Sequence, residues 1–288
     1  MNKTKVLRIL PLLVLFAAGT TCFQKKGDYE SPQGYNLNKP EIFKMPEYLK
    51  EISGIAFHHG KSDTIYAEED EHGKLYYFSL GDKEMNYSKF AKHGDYEDIA
   101  ICNEQVILLR SDGVLFTFPF NEARNEKVAD VHEWTNILPE GEYEGLCADD
   151  KTNELYILCK HCSDDKTGKR VSGYIFQLTP NGTITKSGNF GIDVKMIEKL
   201  SNSGKIHFHP SGLARNPLTR EWFIISSFNR ILVITDQDWK IEKVYTLNPE
   251  IFNKPEGIAF DAGNNLYISN EKGEMNNATI LKFSYQKH

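Results

Sequence analysis

The sequence predicts an all-β fold, a β-propeller of five blades with four antiparallel strands each. The main observation is a motif that occurs five times in the 288 residues: a small or acidic residue, Gly (Asp98 in the second copy), Ile or Leu, then Ala or Cys. The Gly-equivalent positions are 54, 98, 145, 212 and 257, which are 44, 47, 67 and 45 residues apart. A period of about 40–50 residues that contains four short strands is typical of propeller blades.

Each copy of the motif begins a hairpin, as Pro255 to Glu271 (PEGIAFDAGNNLYISNE) shows most clearly. Two apolar runs flank Asp-Ala-Gly-Asn-Asn, whose residues tolerate the positive φ of a tight turn. Further apolar runs follow most copies, for example VLFTFPF from Val114 and ILVITD from Ile231. These runs complete four strands per repeat.

The 67-residue interval leaves two interpretations open. Between Asn189 and Ile206, four apolar residues have helical spacing, and Gly204 is placed to end a helix. We predict a short helix in a connection between blades, packed on the ring. The alternative is a degenerate sixth blade hidden in this interval.

The run Glu41 to Leu49 (EIFKMPEYL) has no preceding blade of its own. We expect it to join the blade formed by Pro255 to Tyr285. That pairing would close the ring and remove an open sheet edge. Residues 41–288 are therefore predicted to be one propeller domain.

The N-terminal residues have the pattern of an export signal. Lys3, Lys5 and Arg8 precede a short apolar run, and Gly-Thr-Thr leads to Cys22. We predict a signal peptide over residues 1–21, lipidation of Cys22, and a tether over residues 22–40. The alternative is ordinary signal cleavage near Ala18. The expected location is the bacterial cell envelope, with the lipid as the membrane anchor.

Charge excludes some partners. Without residues 1–21 the chain has 31 Lys and Arg against 40 Asp and Glu, a net charge of −9. A strongly acidic protein is a poor partner for nucleic acid or for anionic lipid. We expect a monomer that binds an envelope protein, a peptide or a glycan.

The hairpin starts supply the candidate site. Residues i and i+2 of a strand point the same way, and the first strand of each blade lines the central channel. The residue before each Gly position and the residue two places earlier should therefore form two stacked rings near one mouth. The two rings contain Ser53, Glu97, Glu144, Ser211 and Glu256, and Glu51, Asp95, Glu142, His209 and Lys254.

These rings contain six carboxylates, which suit a hard cation such as Ca²⁺. We predict Glu97, Glu144 and Glu256 as metal ligands and Glu51, Ser53, Asp95, Glu142, His209 and Ser211 as ligand-binding residues. The alternative is that each acid only accepts backbone N–H bonds where its strand begins. A second set lies where the second strands end: Glu69, Asp70, Arg110, Lys160, His161, Ser226, Asn270 and Glu271.

Histidine and cysteine spacings give weaker signals. His207 and His209 would share one face of a strand, a spacing that can bind Zn²⁺ if a third ligand is present. Cys159-Lys-His-Cys162 resembles a redox or zinc half-site, and exported disulfides are an option. Cys102 and Cys147 lie on inner strands, where buried thiols are expected.

Familiar catalytic motifs are missing from the sequence. It contains no GxSxG elbow, P-loop, GxGxxG fingerprint or HExxH helix. Ser53 and Ser211 precede Gly but have no assignable His–Asp pair.

The ordered series ISG, YEDI, YEGL, PSGL and PEGIAFD…NLYISNE resembles the SdiA-regulated, YjiK-like β-propeller family of bacterial envelope proteins. The resemblance covers roughly Pro40 to Tyr285 and implies a propeller at or outside the inner membrane. More distantly, the repeats are similar to calcium-dependent lactonase and gluconolactonase propellers. That likeness would make Glu256 and Asn270 metal or ligand contacts, but the remaining ligands of those enzymes have no match here.

Two functional hypotheses follow. The first is a membrane-tethered binding protein without catalysis, whose acidic mouth takes a cation, peptide or glycan. The second is a calcium-dependent hydrolase of the lactonase or phosphoesterase kind.

Overall fold

The computed structural model describes residues 29–165, 168–202 and 204–287. In these residues, 20 strands form five four-stranded antiparallel sheets, arranged in a ring. The predicted five-bladed propeller is thereby confirmed. The predicted signal peptide and Cys22 lie outside the described residues.

Blades I to III follow the chain in order, each from its innermost to its outermost strand. Blade I consists of β2 (Ile52–Ala56), β3 (Ile65–Glu69), β4 (Lys74–Phe78) and β5 (Asn86–Lys89). Blade II consists of β6 (Tyr96–Cys102), β7 (Gln105–Arg110), β8 (Leu115–Pro119) and β9 (His132–Trp134). Blade III consists of β10 (Gly141–Asp149), β11 (Glu154–Cys162), β12 (Arg170–Leu178) and β13 (Ile184–Asp193).

Blades IV and V complete the ring. Blade IV consists of β14 (Gly212–Arg215), β15 (Trp222–Ser226), β16 (Ile231–Thr235) and β17 (Ile241–Thr246). Blade V consists of β18 (Pro255–Phe260), β19 (Leu266–Asn270), β20 (Thr279–Phe283) and β1 (Glu41–Lys44). The five innermost strands contact one another around the axis, and β18 contacts β2.

Strand β1 closes the ring as predicted. It pairs antiparallel with β20, with Phe43 opposite Ile280. The folded part begins before residue 41, where we expected the tether to end. Tyr35 and Leu37 are buried in the core of blades IV and V. Burial of these two apolar side chains stabilises the folded chain.

The long interval contains no sixth blade in its described residues. The long strands of blade III, of nine or ten residues, account for part of it. The rest includes α1 (Val194–Ser201), which begins where the Asp193 side chain accepts hydrogen bonds from the N–H groups of Lys195 and Met196. Ile192 belongs to β13, and the helix ends at Asn202 with φ 53°, before the predicted stop at Gly204. Among the described helices, none has the length and hydrophobicity to cross a membrane.

The core lies between neighbouring blades. Blades III and IV meet through stacked aromatic rings: the centroids of Phe190 and Trp239 are 3.6 Å apart, and those of Trp222 and Trp239 are 4.3 Å apart. Such contacts bury large apolar areas and fix the angle between adjacent sheets.

Close approach of the innermost strands explains the glycines of the repeat. A Cβ at Gly212 would lie 2.4 Å from the carbonyl oxygen of Glu256, and one at Gly257 would lie 2.3 Å from that of Ser53. Asp98 takes the equivalent position in blade II. Its carboxylate accepts hydrogen bonds from the N–H of Ile99, at 2.8 Å, and of Leu146 in blade III, at 2.6 Å. These contacts hold neighbouring blades together around the axis.

Candidate functional site

A cavity of about 540 Å³ lies on the axis, at the end of the ring where innermost strands begin and second strands end. Six carboxylates line it, together with two lysines and two histidines. They are Asp70, Asp95, Glu97, Glu144, Glu256 and Glu271, and Lys160, Lys254, His161 and His209. With neutral imidazoles the lining carries more negative than positive charge.

Most of the predicted ring residues do meet here. Seven of the ten line the cavity: Asp95, Glu97, Glu144, His209, Ser211, Lys254 and Glu256. The other three, Glu51, Ser53 and Glu142, do not. Ser53 is buried beside blade V, where its carbonyl accepts a hydrogen bond from Ser269 Oγ at 2.5 Å.

Glu51 and Glu142 do not line the cavity, and each forms an ion pair with a neighbouring side chain. The carboxylate of Glu51 lies 3.5 Å from Lys50 Nζ. That of Glu142 lies 3.2 Å from His161 Nδ1, and both side chains there are more than half exposed. Exposed pairs of this kind contribute little stability.

Asn270 faces away from the central cavity. It is 2% exposed, and its Nδ2 donates to the carbonyl of Ile251 and to Thr279 Oγ1, each at 3.2 Å. Since neighbouring side chains at a strand end point in opposite directions, it is the next residue, Glu271, that lines the cavity. Asn270 therefore does not line the central cavity, and its ligand role stays a prediction.

Two residues near the ends of second strands, Lys160 and Glu271, also line the cavity, although they are not among the ten predicted ring residues. Lys160 of β11 forms an ion pair with Glu144. Lys254 Nζ lies 2.5 Å from Glu271 Oε2 and 3.5 Å from Glu256 Oε1. The strand-end set in the sequence contained Lys160 and Glu271, but the sequence did not show which of its members would point inward.

Burial and neighbouring negative charges raise the pKa values of several lining carboxyls. Burial raises the pKa of Glu97 to about 9, with further contributions from the charges of Glu144 and Asp95. Burial and then the charge of Glu144 raise the pKa of Glu256 to about 8. Burial also raises the pKa of Glu144, but the ammonium of Lys160 opposes this shift.

The pKa of Asp70 is raised in the same way. Burial, followed by the charges of Glu51 and Glu271, raises its pKa to about 7. Its buried Oδ1 has no hydrogen-bond partner among the residues that the structure describes. A buried carboxylate oxygen without a partner is costly, so this atom would gain from a bound cation or donor.

The distances between the carboxylates decide which of them could share one metal ion. In the described part of the chain, Glu51, Asp70 and Glu71 form one group whose ligand atoms lie within 4.8 Å of one another. Glu97, Glu144 and Glu256 do not form such a group, so a common ion would require their carboxylates to move together. Their predicted role as Ca²⁺ ligands stays a prediction.

Lys160 and His161 are positioned by an irregularity in blade III. The pairing of β10 with β11 shifts register around Tyr143, and a disulfide joins Cys159 to Cys162 across the two residues. The CKHC segment is therefore a disulfide in the structure. Cys102 is buried and Cys147 is half-buried, and both have free thiols, in line with their expected positions.

The expectation that His207 and His209 share a strand is wrong. Both lie in the irregular segment before β14, which begins only at Gly212. His209 packs instead on His161 of blade III, with ring centroids 4.2 Å apart.

A second cavity of about 590 Å³ adjoins the first and shares Lys160, His161 and His209 with it. Its other charged or basic lining residues are Asp165, Arg170, Lys205 and His207. This cavity is mainly basic. An acidic cavity and a basic one thus lie side by side at the same end of the propeller.

Comparisons with known proteins agree with this architecture. No curated protein matches the chain in sequence. Its structure is similar to glutaminyl cyclase of Myxococcus xanthus, with 14% identity, a TM-score of 0.55, and 86% of this chain and 96% of that chain covered. It is also similar to a luciferin-regenerating enzyme, with 9% identity, a TM-score of 0.53, and 85% and 95% covered.

A third similar structure is the calcium-binding protein regucalcin from Agrobacterium tumefaciens, with 12% identity, a TM-score of 0.50, and 88% of this chain and 95% of that chain covered. At such identities these likenesses show the fold alone. The family evidence comes from the sequence: the SdiA-regulated family model matches residues 33–274, a span that includes all five Gly-equivalent positions. The chain therefore belongs to the SdiA-regulated family.

Proposed function

We propose that the chain is a binding protein of the bacterial cell envelope that takes a positively charged ligand in its central acidic cavity. The observation that carries this proposal is the set of six lining carboxylates, of which Glu97 and Glu256 have pKa values raised to about 9 and about 8. A bound cation would stabilise their ionised forms and remove the repulsion between them.

Calcium is the metal ion that this donor set favours. Carboxylate oxygens suit a hard cation, which takes about 6–8 oxygen ligands in flexible geometry. Glu97 and the unpartnered Oδ1 of Asp70 are available without displacing a lysine. Regucalcin, a similar propeller, is described as calcium-binding, which supports testing this ion first.

The positively charged ligand can also be an organic molecule with an ammonium group. The adjoining cavity contains Lys160, Arg170 and Lys205, which suit a carboxylate or another anionic group. A peptide would carry both charges, so its amino group would occupy the acidic cavity and an anionic group the basic one.

The test is thermal unfolding of the purified protein with millimolar Ca²⁺ and with EDTA. Binding to the folded state at a hundredfold excess over Kd adds about 2.7 kcal/mol to stability. We expect Ca²⁺ to raise the unfolding temperature and Glu97→Gln to abolish the rise. Glu84→Gln, an exposed residue outside the cavity, is the matched control. An equal rise in both variants would exclude a Ca²⁺ site in the cavity.

The envelope part of the proposal rests on residues 1–22 of the sequence. Lipidation of Cys22 would attach the propeller to a membrane, and more than one acyl chain makes such attachment stable. The expected result is that the wild-type protein fractionates with membranes and Cys22→Ala does not. Membrane retention of Cys22→Ala would exclude the lipid anchor.

A second candidate function is a calcium-dependent hydrolase of lactones or phosphoesters. The observation in its favour is the perturbed pKa of Glu256 and Asp70, since carboxyls with pKa values near neutrality can act as general acids. Turnover of a lactone or phosphoester that Glu144→Gln abolishes would favour this function over simple binding.

A further inference from the structure

Two adjacent histidines lie at the end of the propeller opposite to the central cavity. His58 and His59 are in the turn between β2 and β3, and Glu104 is in the turn between β6 and β7 of the next blade. Glu104 Oε1 is 3.3 Å from His58 Nε2 and 3.0 Å from His59 Nε2. One carboxylate oxygen therefore faces two imidazole nitrogens from a neighbouring blade.

These separations are close to those between ligand atoms around a single metal ion. In a tetrahedral zinc site with bonds of about 2.0–2.2 Å, two ligand atoms are about 3.3–3.6 Å apart. The ligand atoms of His58, His59 and Glu104 all lie within 4.8 Å of one another. An ion could be bound after rotation of the His59 and Glu104 side chains, which are exposed.

The second ring nitrogen of His59 gives a separate indication of a metal site. Its Nδ1 is 3.6 Å from Asp150 Oδ2, so His59 has a carboxylate on each side of its ring. When Nε2 binds a metal, Nδ1–H is free to donate to Asp150, which is the usual second partner of a metal-bound histidine.

The other ring is held in place by packing. His58 stacks on Phe120, with ring centroids 3.6 Å apart and planes inclined by 17°. Glu104 is 69% exposed, which leaves solvent access for a water as the fourth ligand.

We propose that His58, His59 and Glu104 bind a transition-metal ion, Zn²⁺ by preference, with Asp150 orienting His59. Two imidazoles and one carboxylate are donors that zinc accepts, and three protein ligands leave one position for water. The ion would join blades I and II at the face opposite to the acidic cavity. This site is independent of the proposed function.

The test is calorimetric titration of the metal-free, full-length protein with Zn²⁺ at neutral pH. We expect one Zn²⁺ per chain. His59→Ala and Glu104→Gln should each weaken binding by at least about tenfold, and Asp150→Asn by about ten- to a hundredfold. Co²⁺ bound at this site should show the intense visible absorption of tetrahedral coordination.

Controls separate this site from other parts of the protein. His93→Ala removes an exposed histidine elsewhere and should leave Zn²⁺ affinity unchanged. Glu97→Gln alters the central cavity and should also leave it unchanged. Circular dichroism checks that each variant folds. No Zn²⁺ binding by the wild type, or equal binding by the double variant His58→Ala/His59→Ala, would overturn the proposal.

Discussion

At the scale of single residues, Glu97 makes the central cavity sensitive to pH. In the folded chain its pKa is raised from 4.5 to about 9, by burial and then by the charges of Glu144 and Asp95. Between these pH values the folded state holds a proton that the unfolded state has released. The contribution of Glu97 to the free energy of unfolding therefore falls as pH rises through this window.

Glu97→Gln keeps a neutral side chain of the same shape and removes the titration. We expect this variant to lose less stability than the wild type as the pH rises from about 5 to about 9. Urea unfolding across this range measures the difference. Glu84→Gln, which changes an exposed carboxyl, should follow the wild type. A variant curve parallel to that of the wild type would show that the pKa of Glu97 is not raised.

Sequence reasoning placed some residues of the cavity correctly and missed others. Glu97, Glu144 and Glu256 line it because the side-chain period of a strand fixes the direction of every second residue. The inward direction of Lys160 depends on the register shift near Tyr143, and a bulge of this kind has no reliable sequence signature. The burial of Ser53 likewise depends on a neighbouring blade.

At the scale of elements, the end of β11 is held by the Cys159–Cys162 disulfide. The bridge closes a very short loop and so removes little entropy from the unfolded chain. The resulting stabilisation of the folded state is about 2 kcal/mol. We expect Cys159→Ala/Cys162→Ala to lower the free energy of unfolding by about this amount. Urea unfolding with and without a reductant measures it.

The same experiment has an internal control. Reductant should destabilise the wild type to the level of the double variant and leave the double variant unchanged. If reductant destabilises both proteins equally, its effect does not come from this disulfide.

The elements themselves were largely predictable. The five hairpins, the third strands β8 and β16, and one helix were expected from apolar periodicity and turn residues. The boundaries of α1 were less accurate because Asp193 caps the helix after Ile192 has already paired in β13. Capping by a side chain overrides an apolar pattern that runs through both elements.

At the scale of the whole molecule, the ring is closed by pairing of the two ends of the domain. Phe43 of β1 lies opposite Ile280 of β20, and Met45 N–H donates to the carbonyl of Ala278 at 2.9 Å. This closure could be predicted because an open blade would expose a sheet edge. The burial of Tyr35 could not, because its polar neighbours have the composition of a linker.

Tyr35 connects the segment before β1 to the propeller. Its ring lies 6.2 Å from that of Phe223 and 5.6 Å from that of Tyr285, between centroids. Its hydroxyl donates to the carbonyl of Asn264 at 2.8 Å. Removal of the chain through Lys44 would take away these contacts as well as the outer strand of blade V.

We therefore expect a chain that begins after Lys44 to be destabilised by several kcal/mol, since it loses two buried side chains worth about 1.5–3 kcal/mol each and the hydrogen bonds of β1. Thermal unfolding and size-exclusion chromatography measure the loss, and the free edge of β20 should cause association. A chain that begins at Tyr29 is the control, because it retains every described strand. Equal stability of the two chains would mean that the other strands hold the ring closed without β1.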